Sequence, residues 1–190
     1  MLDPDGDLIR ESRAGSKAAF GKLVDRYYEM VYVLAYGVLH EREAARDTAQ
    51  EVFLKAFREI QNFEGRSKFK TWLYRIAMNA AVDEARKRRP TLSIDASDAS
   101  DDEDKRPVII TDSSSGPREE MVQGELRGLI ERALSELSPE HRAVMVLREW
   151  QDLSYEEIAE TLQIEMGTVM SRLFYARKKL AEVLKRTIGK

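Results

Sequence analysis

The sequence predicts an all-α fold, two small helical domains joined by a flexible acidic linker. Three observations predict it. Apolar residues recur at three- and four-residue spacing, and no strand is evident. The first helical stretch ends at Pro90, and helical spacing resumes only after Pro117. Between them the composition turns to Asp, Glu, Ser and Ala. The expected division is a first helical domain at 1–90, a linker at 91–120, and a second domain at 121–190 that ends in a helix-turn-helix.

Within the first domain, Leu8, Ile9, Phe20, Leu23, Val24 and Tyr27 mark one or two short amphipathic helices, with Gly15-Ser16 as the break. The pattern continues through Val31, Leu34, Ala35 and Val38. The next helix runs from about Arg42 to Ile60, with Ala49, Val52, Phe53, Ala56 and Phe57 on its apolar side and Asp47, Gln50, Glu51 and Lys55 on the other. A turn at 62–66 separates it from a helix that starts near Ser67, carries Phe69, Trp72, Leu73, Ile76 and Ala77, and finishes in Arg86-Lys87-Arg88-Arg89.

The linker holds Asp95, Asp98 and the run Asp101–Asp104, then Ser113-Ser114-Ser115-Gly116-Pro117, with little core-forming material. The second domain opens with a stripe of Met121, Leu126, Leu129, Ile130, Ala133, Leu134 and Leu137. Ser138-Pro139 reads as an N-cap followed by proline at the first helical position. Ser154 and Glu157 have the spacing of a capping box. The helix they open breaks at Gln163–Gly167, and a second helix follows with Val169, Leu173, Ala176, Leu180 and Leu184 inward and Ser171, Arg172, Tyr175, Lys178 and Lys179 outward. Two helices around a tight break, the second basic on its outer face, suit a DNA major groove.

Bulk properties narrow the function. The net charge is −3 over 190 residues, so any basic surface is local. Cysteine is absent, which excludes disulfides and thiolate chemistry and suits a reducing cytoplasm. The polar, acidic N-terminus does not read as a signal peptide, and no apolar run approaches the ~18 residues of a membrane span. His40 and His141 are the only histidines and lie far apart in sequence. No catalytic residue, metal site or cofactor is expected. Phe63–Arg89 interleaves Phe63, Phe69, Trp72 and Tyr74 with Arg66, Lys68, Lys70 and Arg75. Such a mixture suits single-stranded nucleic acid, whose bases stack on rings while cations follow phosphates, although Trp72 by itself reads as a core residue.

The run from Asp47 to Phe57 and that from Phe63 to Asp83 together resemble region 2 of bacterial extracytoplasmic-function (ECF) sigma factors. Leu137-Ser-Pro-Glu-His-Arg, Leu153-Ser-Tyr-Glu-Glu-Ile-Ala and the run from Gly167 to Leu180 resemble region 4 of the same family. The resemblance implies a sigma subunit that binds core RNA polymerase through its beta-prime clamp helices and beta flap, reads promoter DNA, inserts in no membrane and answers to an anti-sigma factor. It implies core-polymerase contacts at Asp47, Gln50, Glu51 and Lys55. It implies minus-10 contacts at Phe63, Ser67, Lys68, Trp72, Arg75, Asn79 and Arg86, with a flipped base held near Phe63, Ser67 and Lys68. Minus-35 contacts fall on Met170, Ser171, Arg172, Phe174, Tyr175, Arg177 and Lys178. Some members carry arginine where this chain has Met170 and Tyr175, so promoter preference does not transfer from a relative. The acidic linker would thread through a basic channel of polymerase. A decoy that only bound an anti-sigma factor would have degraded promoter-reading segments, and here Arg66–Lys70, Asn79 and the basic run persist.

Overall fold

The structure is a computed structural model that describes residues 4–88, 128–130 and 132–188. The linker expected at 91–120, together with Met121 and Leu126, lies outside the described residues.

The first lobe is built by α1 (Gly6–Arg13), α2 (Lys17–Leu39), α3 (Arg42–Glu59) and α4 (Phe69–Arg88). Gly15 adopts φ +95°, a backbone that favours glycine, and it turns the chain between α1 and α2 where the sequence reading puts the break. Ser16 then caps α2 by accepting from the Ala19 N–H. His40 ends α2 in the left-handed conformation, and Glu41 caps α3 through the Ala44 N–H at 3.2 Å. A 3₁₀ turn at Ile60–Asn62 finishes the long third helix. Helix α4 starts at Phe69, two residues later than expected, because 63–68 forms a loop around Gly65 at φ +72°.

α2, α3 and α4 pack mutually. Leu23, Val31, Leu34, Val52, Ile60, Phe69, Leu73 and Met78 are fully buried between them. Asp5 is buried as well, but it accepts from Arg26 and Tyr27, which offsets the cost of removing a carboxylate from water.

The second lobe has a short helical stretch at 132–135, α5 (Pro139–Met145), a π-type turn at Val146–Trp150, α6 (Tyr155–Leu162) and α7 (Met166–Ile188). Pro139 sits at the first position of α5, and Ser138 accepts from the His141 N–H. The capping box is formed in both directions: Ser154 accepts from the Glu157 N–H at 3.1 Å, and the Glu157 carboxylate accepts from the Ser154 N–H at 2.8 Å. Gln163 turns the chain between α6 and α7 at φ 53°. Val169, Leu173 and Ala176 of α7 are buried, as the stripe predicts.

The two lobes are docked. α5 packs on α2 and α4, α6 packs on α4, and the π-type turn packs on α2. Leu147, Ile158, Val169 and Leu173 belong to the same apolar cluster as the first lobe's core. A smaller cluster of Leu134, Leu137 and Ala176 closes the far side of the second lobe.

Candidate nucleic-acid interface

The outer face of α3 is set by helical spacing alone. Thr48, Ala49, Val52, Phe53 and Ala56 turn inward, so Asp47, Gln50, Glu51 and Lys55 all emerge exposed on the other side. Lys55 approaches Glu59 of the next turn at 4.0 Å, a surface pair of little energetic weight. The sequence reading missed Leu54, which is 58 % exposed on this polar face, one position before Lys55. Its signal was a large apolar residue out of step with the inward stripe.

The residues expected at the minus-10 element divide in two. Phe63, Ser67, Trp72 and Arg75 line one pocket of about 160 Å³ together with Asn62, Glu64, Gly65 and Arg66. Its floor is rigid. Phe63 packs on Trp72 with ring centroids 5.2 Å apart and edge-on to Phe69 at 5.9 Å, and Phe69 in turn meets Trp72 at 5.4 Å. Phe63 and Trp72 are therefore buried, so they offer ring edges from a wall and not free stacking faces. The rim is polar: Arg66 pairs with Glu64 at 2.5 Å, and Ser67 donates to the Lys68 carbonyl at 3.4 Å. Lys68 is exposed beside the pocket without lining it.

Asn79 and Arg86 lie further along α4, in a different place. They line a cleft of about 150 Å³ between the lobes, together with Asp83, Glu140, Ile164 and Arg172. Arg86 donates to Glu140 of α5 through Nε at 2.8 Å and Nη2 at 2.7 Å. Burial pushes the Glu140 carboxyl up, but its own backbone N–H, the Arg86 guanidinium and the Ser138 hydroxyl hold the anion, and its pKa falls to about 2. Nearby, the Tyr74 hydroxyl donates to Gln151 across the lobes at 2.8 Å. Burial raises its pKa, against the opposing influence of Lys70, whose ammonium sits 5.4 Å from the ring centroid.

Of the residues expected to meet the minus-35 element, all but Arg172 share the open side of α7. Met170, Ser171, Phe174, Tyr175, Arg177 and Lys178 are exposed. Ser171 is spent on its own helix, donating to the Thr168 carbonyl at 3.1 Å. Arg172 is only half-exposed and turns into the interlobe cleft beside Asn79. Arg177 reaches Glu149 of the π-type turn at 2.7 Å. Tyr175 and Lys178 border a separate groove of about 470 Å³ with His141 and Glu136.

Glutamates of the second lobe thus occupy two of the expected DNA-contacting arginines, Arg86 and Arg177, and Asn79, though exposed, and half-buried Arg172 line the same cleft between the lobes. Sequence reasoning did not find Glu140 and Glu149 because both sit on helical positions that read as solvated surface. Among the described residues no group of His, Asp and Glu side chains is arranged to hold a metal, and no helix is long and apolar enough to cross a membrane.

A helix-turn-helix carried on one lobe, with a loop pocket and a basic helix end on the other, defines the class of bipartite nucleic-acid-binding proteins. Family models narrow it: sigma-70 region 2 matches residues 23–91, and sigma-70 region 4 matches 127–180. The chain is 37 % identical to the RNA polymerase sigma-H factor of Pseudomonas aeruginosa over 96 % of its own length and 94 % of that protein. It is 35 % identical to the ECF RNA polymerase sigma factor SigW of Bacillus subtilis, over 93 % and 95 % of the two chains. The fold is also that of sigma factor RpoE, solved with the anti-sigma factor NepR from Bartonella quintana, at TM-score 0.63 and 24 % identity over 87 % of this chain and 96 % of that one. The chain belongs to the ECF RNA polymerase sigma factors, which are transcription initiation factors and not enzymes.

Proposed function

We propose that this chain binds core RNA polymerase through the α3 face around Asp47, Gln50, Glu51 and Lys55, and that Leu54 is the apolar centre of that contact. The pocket lined by Phe63, Ser67, Trp72 and Arg75 receives a base flipped from the minus-10 element, with Lys68 on the neighbouring phosphate. Its small volume and stiff aromatic wall support capture of one base and not of a longer strand. Asn79 and Arg86 extend the minus-10 surface along α4, and the exposed side of α7 meets the minus-35 duplex.

The observation that carries this reading is the convergence of four expected minus-10 residues on one pocket, on the lobe that also presents the α3 face. In the docked arrangement Asn79 and Arg172 share one cleft of about 150 Å³, too small for the two separate promoter elements, so both are engaged only after the lobes part. The docked form is the one an anti-sigma factor would hold. It supports control by a partner that stabilises closure, and the activity belongs in the bacterial cytoplasm, where polymerase works.

Transcription from a promoter library by purified core polymerase, with and without the chain, tests this. Transcripts that require the chain and share two spaced motifs are expected. A chain that binds core and leaves transcription unchanged would contradict the promoter-reading part, and one that fails to bind core would contradict the α3 part.

A further inference from the structure

Met166, Met170 and Phe174 follow one another at four-residue spacing along α7 and form a single apolar row. They are 42 %, 47 % and 63 % exposed, while Val169, Leu173 and Ala176 of the same helix are buried. One exposed apolar side chain on a helix is ordinary. Three in a row, on the second helix of a helix-turn-helix, need a counterpart. The Phe174 ring is also held in place, edge-on to Tyr175 at 5.4 Å.

The C-terminal end of this row is cationic. Arg177, which pairs with Glu149, and Lys178 lie one turn beyond Phe174, while Arg172 is on the opposite side of the helix, in the interlobe cleft. Cations at the end of an apolar row suit a polyanion whose interior offers apolar groups. In the major groove of a duplex, one base offers such a group: thymine, through its 5-methyl. Guanine, cytosine and adenine present only donors and acceptors there. A methionine thioether donates nothing and accepts weakly, so it cannot make the bidentate guanine contact of an arginine.

We infer that Met170 and Phe174 read thymine methyl groups in the minus-35 duplex, so that this chain selects thymine where an arginine in place of Met170 would select guanine. The inference rests on the proposed minus-35 role of α7 and names what that role recognises. Met166 lies at the start of the row, at the N-terminus of α7. Arg177 and Lys178 meet phosphates and set affinity without base preference.

The test uses holoenzyme, core polymerase loaded with the full chain, on a promoter obtained from the library. Thymines of the minus-35 duplex are replaced one at a time by deoxyuridine, which pairs identically and lacks only the methyl. Each contacted methyl is expected to strengthen binding about fourfold, the value of one buried carbon. In Met170→Ala and Phe174→Ala holoenzymes, the preference for thymine over deoxyuridine should fall to about one at the position each residue reads, with other positions unchanged. Wild-type holoenzyme that depends on minus-35 sequence but binds both bases equally would overturn the inference and leave the parent reading standing. Binding indifferent to the minus-35 sequence altogether would overturn the parent reading. A thymine preference that survives both substitutions would assign the methyls to other residues. Equal binding of both bases together with loss of a protein partner in the two variants would make the row a protein contact.

Discussion

In α4, Phe69, Trp72 and Tyr74 are buried, with Trp72 at 9 % exposure; in α7, Phe174 and Tyr175 stand 63 % and 58 % exposed. Both helices interleave aromatics with arginine and lysine, and in sequence the two patterns look alike. The difference is what lies behind each helix. α4 is the central helix of the docked molecule, contacted by α2 and α3 from its own lobe and by α5 and α6 from the other. Its rings build a wall. α7 packs on α5 and α6 along one stripe and leaves the rest of its circumference open. An aromatic-and-basic stretch therefore states only that a surface is available for stacking. Whether the rings or merely the bases reach that surface depends on how many neighbours the helix has.

The largest expected effect tests that contrast directly. Trp72→Ala should cost about 3–5 kcal/mol of stability, because it opens a cavity between Phe63 and Phe69. Phe174→Ala should stay within about 0.5 kcal/mol of wild type while losing promoter affinity. Urea unfolding of both variants measures this, and similar midpoints for the two would erase the distinction between wall and open face.

A second effect comes from the junction of the lobes. His40 ends α2, and the pKa of its ring falls to about 4, first because it is buried and then because Arg142 of the other lobe adds a positive charge nearby. Both ring nitrogens lack hydrogen-bond partners. A base with a lowered pKa contributes its full stability above about pH 6.5 and loses it as pH falls toward 4, by up to about 3 kcal/mol. His40→Asn keeps a residue tolerant of the left-handed backbone at φ 56° and removes the titration. Stability measured from pH 7 to pH 4 should fall less steeply in the variant, and parallel curves would locate the acid sensitivity elsewhere.

Gly37 offers a third, more local way to separate the lobes. A Cβ there would stand 2.5 Å from Cζ3 of Trp150 and 2.7 Å from Cγ2 of Val146, both in the second lobe. Gly37→Leu should weaken docking by about 1–3 kcal/mol through overpacking, and leave each lobe folded. Trp150 fluorescence should shift as its ring leaves α2, and the radius of gyration should rise. An unchanged scattering profile would mean that the ring swings aside and the lobes hold.

The smallest effect is expected from Glu140→Gln. The Arg86–Glu140 pair is partly solvated and should contribute no more than about 1 kcal/mol to docking. The change removes the charge holding Arg86, which still has Asp83 at 3.8 Å, so promoter binding should rise slightly even though the closed form changes little. A decrease would show that Glu140 supports the DNA-binding state.

Much of the fold was legible because its signals are local. The capping box at Ser154 and Glu157, the proline after Ser138 and the break at Gly15-Ser16 depend on residues within a few positions of one another. The α3 face follows from helical spacing in the same way. Less was legible at α7, where Arg172 turns toward the cleft while Phe174 faces water. Nothing in the spacing of α7 distinguishes the side that meets the other lobe from the side left open, since both are polar in part. The π-type turn at Val146–Trp150 is likewise absent from any local pattern, although it delivers Trp150 to Gly37 and Glu149 to Arg177.

By itself, then, the sequence determined which segments are helical, where most of them are capped or broken, the main stripe each buries (Phe57 and Ile130 stand exposed) and which family the motifs resemble, because caps, breakers and periodicity act over one or two turns. The tertiary structure decided which aromatics became wall and which stayed exposed, that Phe63, Ser67, Trp72 and Arg75 share a pocket, and that Asn79 and Arg172 meet in one cleft. Those outcomes depend on contacts between residues up to about a hundred positions apart, and the free energy of such contacts is set by packing and burial that no local window contains.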